Sequence, residues 1–124
     1  MFGFHAQRSL AVLPVPIYPM LPTENPTVND RNKFVRCVLT KEEHARKCKE
    51  EILILWTDFF KTEHLEMFPN LHDAFWKAAK LCSINKQEVS IENAQELVKA
   101  VDEIADIFNK AKSASNAAAA APKK

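Results

Sequence analysis

Glycine is almost missing from this chain: among 124 residues the one glycine is Gly3. Loops that cradle phosphate or wrap closely around a substrate need glycine's backbone freedom. Accordingly there is no G-x-G-x-x-G loop, no Walker loop and no G-x-S-x-G nucleophile elbow, and the H-E-x-x-H zinc helix is absent too. An excess of one charge is equally lacking. Lys and Arg number 17 against 16 Asp and Glu, a formal charge of +1, which is too little to hold a polyanion, so nucleic acid is not expected as a partner.

Long apolar runs are also absent. The longest compact one, Ile52 to Trp56, falls far short of the roughly 18–20 residues that cross a bilayer. The apolar stretch Leu10 to Leu21 is broken by Pro14, Pro16 and Pro19, which remove backbone donors and bar a regular helix in lipid. No transmembrane segment is expected, while peripheral contact of this stretch with a membrane stays open. The three cysteines, Cys37, Cys48 and Cys82, are an odd number without a secretory leader, so reduced thiols are expected rather than a disulfide scaffold. A single Cys37–Cys48 bridge remains an open alternative.

What the chain does have is proline at one end and helical periodicity in the middle. Residues 1–30 hold five of the seven prolines and read as an extended, polyproline-like arm. Within it Val15, Ile17, Tyr18, Met20 and Leu21 offer apolar anchors for a groove on a partner chain. Folding back over this chain's own helices is the alternative. The arm has no acid before Glu24 and carries Arg8 and His5 among apolar residues, a balance that resembles a mitochondrial targeting segment. Whether such a segment is cleaved is not legible.

Residues 31–112 read as one helical domain. Lys33 to Leu39 is rich in β-branched residues and is compatible with a short strand or with a helical turn capped by Asp30. Thr40 and Glu43 fit a capping box. A helix is then expected over Lys41–Glu66, burying Ala45, Cys48, Ile52, Leu55 and Phe59, and stopped at the Phe68–Pro69 step. Leu71, Phe75, Ala78 and Cys82 predict a second helix of about three turns, antiparallel to the first across a short loop. Ser90 can cap a third, amphipathic helix whose heptad seam runs Ile91, Ala94, Val98, Val101, Ala105 and Phe108, flanked by Leu97 and Ile104. Residues 113–124, SASNAAAAAPKK, have no large apolar group and read as a flexible tail. The expected fold is all-α: a helical hairpin plus a third helix, between an arm and a tail.

Few residues offer chemistry. His44 and Cys48 stand four apart on one helix, with Cys37 as a third donor if the chain folds back, but Cys48 lies on the apolar seam, where a thiol is a small core group. Glu63, His64, Glu66, His72 and Asp73 gather around Pro69, the raw material of acid–base work, yet no nucleophile or oxyanion donors accompany them. No catalytic residue, metal ligand or cofactor is therefore expected. Among the aromatics, Trp56 and Trp76 are the candidates for exposed interface anchors.

These features lead to the expectation of a non-catalytic accessory subunit, not an enzyme, bound to other protein subunits of a hetero-oligomeric complex. A helical body of about 80 residues is small for a self-sufficient core. A mitochondrial inner-membrane respiratory or ATP synthase complex fits the acid-free N-terminus. A soluble helical adaptor, a cytoplasmic cytoskeletal or ciliary lattice protein, and a small metal-binding or redox protein are the alternatives.

Overall fold

The computed structural model describes residues 24–120, with side chains described through Ala117. The arm's anchors Val15, Ile17, Tyr18, Met20 and Leu21 lie outside the described residues. The order is α1 (Val28–Ile54), a π-helical turn (Leu55–Phe59), α2 (His64–Met67), α3 (Leu71–Gln87) and α4 (Ile91–Ala120). Among the described residues there is no strand, so the all-α expectation holds.

α1 starts earlier than its sequence suggests, because a different capping box opens it. The Thr27 hydroxyl accepts from the Asp30 amide at 3.0 Å, and the Asp30 carboxylate accepts from the Thr27 amide at 2.9 Å, satisfying two otherwise orphaned donors. Those bonds from Thr27 hold the Asp30 carboxyl below the usual carboxylate range. Residues 33–39 are helix, not strand: a lone strand has no partner for its backbone, whereas a helix pairs its own. Thr40 lies mid-helix with its hydroxyl donating to the Arg36 carbonyl at 3.0 Å, and Glu43 pairs with Arg46. The Thr40–Glu43 box is thus corrected. The helix also ends sooner than expected: the π turn over Leu55–Phe59 gives way to an extended Phe60 (ψ 140°), and only the short α2 separates it from Pro69.

Continuity of α1 settles the disulfide question. Cys37 and Cys48 sit eleven residues apart on one unbroken helix, a separation of about 16 Å along the axis. A disulfide needs Cα atoms within about 7 Å, so these two cannot be bridged.

α3 is the central helix, packed on one side by α1 and on the other by α4. Cross-links between side chains and backbone show that each neighbouring pair runs antiparallel. Lys41 and Lys49 of α1 reach Asn85, Lys86 and Ser83 near the end of α3, while Trp56 beyond α1 reaches His72 at its start. Asn85 likewise donates to the Asn93 carbonyl at the beginning of α4, and Asn70 donates to Glu103 further along it.

The core is formed by Cys48, Ile52 and Leu55 from the α1 side, Leu71, Ala74, Phe75, Ala78 and Cys82 from α3, and Leu97, Ala100, Val101, Ile104 and Ile107 from α4. The α4 stripe is centred differently from the heptad expected. Leu97 and Ile104 are buried at its middle, whereas Ile91 is exposed and Val98, Ala105 and Phe108 are half-buried. The wider stripe suits a helix packed on a globular core rather than a coiled-coil seam. Ser90 does cap α4, its hydroxyl accepting from the Asn93 amide at 3.2 Å. The alanine-rich residues 113–120 continue α4, as the high helix propensity of alanine allows.

Lys41 is the one charged side chain buried among the described residues, 4% exposed. Its ammonium donates to the Asn85 and Lys86 carbonyls, both at 2.6 Å. These belong to the unpaired carbonyls at the negative end of α3, where a cation is favoured.

Two stability measurements follow. Phe75, fully buried, stacks on Trp56 at 5.8 Å between centroids and meets Phe60 edge-on at 5.3 Å. Phe75→Ala is expected to lower the unfolding free energy in urea by about 3–5 kcal/mol. Lys41→Ala is expected to cost about 1.5–3 kcal/mol, the scale of hydrogen bonds to a charged group. A Lys41→Ala midpoint equal to that of the parent would show that the α3 carbonyls do not depend on this ammonium.

Candidate metal centre

Metals are held where deprotonated thiols, imidazoles and carboxylates converge on one point. The three thiols do not converge. Cys48 and Cys82 face each other from α1 and α3, and each is 0% exposed. The hydrogen bond with Cys82, followed by burial, drives the Cys48 thiol far above the usual range and keeps it protonated. Cys37 is half-buried on the first turns of α1, remote from both.

Nor do the histidines supply a centre. His44 is half-buried on α1, and its Nδ1 has no hydrogen-bond partner among the described residues. It shares the helix with Cys48, but that thiol is engaged in the core. His64 is 7% exposed, accepts from the Lys61 amide at 2.9 Å through Nδ1, and packs between Phe59 and Phe60. It therefore closes the turn after the π helix. His72 accepts at Nδ1 from Trp56 Nε1 at 2.9 Å. The two histidines near Pro69 thus take two separate packing roles. Among the described residues no group of three His, Cys, Asp or Glu side chains could hold a metal ion.

The two tryptophans singled out in the sequence do come together. Trp56 and Trp76 line one shallow groove of about 390 Å³ with Lys49, Ala79 and Lys80. Trp56 is half-buried, while Trp76 is 42% exposed and carries the Lys80 ammonium 4.4 Å above its ring. The groove has an apolar floor and two cationic walls, and no nucleophile or acid lines it.

A compact antiparallel helical body of this kind defines the class, and comparison with known proteins defines the family. The sequence model of nickel-containing superoxide dismutase matches residues 17–112. The nickel superoxide dismutase of Streptomyces seoulensis is 32% identical over 92 residues, spanning 73% of this chain and 70% of that protein. That of Streptomyces coelicolor is 31% identical over 87 residues, 69% and 66% of the two lengths. Among solved structures, native nickel superoxide dismutase aligns with a TM-score of 0.73 at 24% identity, over 90% of this chain and 93% of that one. The apo form aligns at 0.74 over 91% and 98%. The chain belongs to the nickel-containing superoxide dismutase family.

That membership corrects several expectations. The family is one of catalytic metalloenzymes, so the reading as a non-catalytic accessory subunit, with no enzyme activity, is overturned. The assignment to a respiratory or ATP synthase complex falls with it, as do the adaptor and lattice alternatives. Mitochondrial localisation, inferred from a short acid-free stretch, is overturned as well: the matched relatives are bacterial. No helix among the described residues is long and apolar enough to cross a bilayer.

The family's nickel can be tested against the donors present. Residues 17–23 contain no Cys, His, Asp or Glu. Residues 24–112 are all described and contain no convergent group of three such side chains. The residues matched to the family therefore do not fit a nickel centre.

Thiol reactivity reports this arrangement directly. In the native chain a disulfide-exchange reagent is expected to label Cys37 alone, with Cys48 and Cys82 becoming reactive only on denaturation. Rapid labelling of every thiol under native conditions would show that the α1–α3 seam opens.

Proposed function

We propose that this chain takes part in superoxide dismutation, the reaction for which its family is named. The observation that supports the reading is the family match over residues 17–112, which covers every helix of the core. Dismutation passes one electron from one superoxide to another and yields dioxygen and, with two protons, hydrogen peroxide. It needs a centre that changes oxidation state by one electron.

Association with other protein chains belongs to the same proposal. No residue between Glu24 and Thr40 is buried, and Val28, Val35 and Leu39 are 83%, 52% and 59% exposed along this part of α1. An apolar row without cover supports a contact with another chain or with residues outside the described segment.

The test is a superoxide-competition assay on the folded full-length chain produced with nickel, alongside metal analysis. Dismutation that exceeds that of an equal concentration of aqueous nickel and disappears on unfolding is the expected result. A folded, metal-supplied chain with no activity above the nickel control would overturn the reading.

A further inference from the structure

Membership in a nickel family sets a requirement that can be checked residue by residue. Metal-bound cysteine must be thiolate, and thiolates sharing one metal stand within about 4–5 Å of each other. Only one thiol pair in this chain is adjacent: Cys48 and Cys82, free thiols joined by a hydrogen bond in the core. Both are 0% exposed, with Ile52, Ala78 and Phe75 in the same cluster, so a divalent ion entering there would displace packed side chains and remain without carboxylate or imidazole support. Cys37 is about 16 Å from Cys48 along α1 and cannot join it.

The remaining donors are equally limiting. Outside the matched residues 17–112, His5 is the sole imidazole, thiol or carboxylate side chain in the sequence. No cysteine lies before Cys37 or after Cys82, so the segments flanking the helical body cannot bring a thiolate to a metal.

We infer that none of the three cysteines is a nickel ligand and that this chain has kept the helical body of its family without a thiolate-based metal centre. The inference rests on the family assignment, which makes nickel the relevant ion, but not on the proposed activity. Cys48 and Cys82 serve as small core residues. Any metal that the chain holds is bound without thiolate, by a donor set that does not push electron density onto the ion as thiolate does.

The experiment adds one equivalent of nickel to the reduced full-length chain, removes loosely held ion, and measures retained metal, native thiol reactivity with and without nickel, and nickel X-ray absorption. Cys37→Ser is run in parallel because this half-buried position can be changed without opening the core. Retention of no nickel, or of nickel with only nitrogen and oxygen neighbours and thiol reactivity unchanged, supports the inference. Cysteine sulfur in the nickel coordination shell, nickel-dependent protection of a thiol, or loss of nickel in Cys37→Ser overturns it. Dismutase activity, read separately, decides the proposed function: an active chain without sulfur ligation satisfies both statements, and an inactive one removes only the function.

Discussion

The antiparallel seam between α1 and α3 is the contact on which the rest of the molecule depends. Ala45 and Cys48 on one helix and Ala78 and Cys82 on the other are small residues, all buried, and small residues let helical backbones approach closely. Close approach brings the larger Ile52, Leu55 and Phe75 into one layer and gives α4 a continuous surface to cover. At one end of the seam the π turn redirects the chain, so that Trp56, Phe59 and Phe60 wrap around Phe75 and His64 instead of continuing outward. Phe108 of α4 then meets Phe59 at 4.9 Å between centroids, tying the third long helix to the same corner.

The seam also decides what the cysteines can do. A thiol enclosed on every side, next to another thiol, stays protonated and inert. The matched residues carry the family's helical body, while the described residues hold no convergent group of three metal donors. The likeness to nickel superoxide dismutases is carried by a helical body matched over residues 17–112, whereas a metal centre depends on a handful of donors at one point. A scaffold can persist while the donors on it change, because packing and ligation impose separate demands on the sequence.

Much of the fold was legible from periodicity. The stripe Ala45, Cys48, Ile52, Leu55 and the spacing of Leu71, Phe75, Ala78 and Cys82 identified the two faces that meet, and the short connection identified their antiparallel sense. Boundaries were less legible. Two separate capping boxes, Thr27–Asp30 and Thr40–Glu43, fit the same pattern, and only the folded structure shows that the helix runs through the second. The buried Lys41 lies one turn before Ala45 on the same stripe, a signal obscured by reading lysine as solvent-exposed. The candidate site was hardest to read. The likeness to relatives amounts to 32% identity over 92 residues, and the apolar spacings read from the sequence are those of any helical bundle. The weight placed on the acid-free N-terminus led to the wrong compartment, because a short apolar stretch with one arginine is a composition many segments share.

Lys41 also acts as a ruler. Its ammonium sits on the terminal carbonyls of α3, and each residue of an α-helix advances the next carbonyl by about 1.5 Å and turns it by about 100°. Removing or inserting a single residue between Leu71 and Cys82 would therefore swing those oxygens out of line with the lysine at the same time as it shifted Cys82 away from Cys48. Substitutions can accumulate along this hairpin one side chain at a time, but its length is locked at both the polar end and the greasy middle.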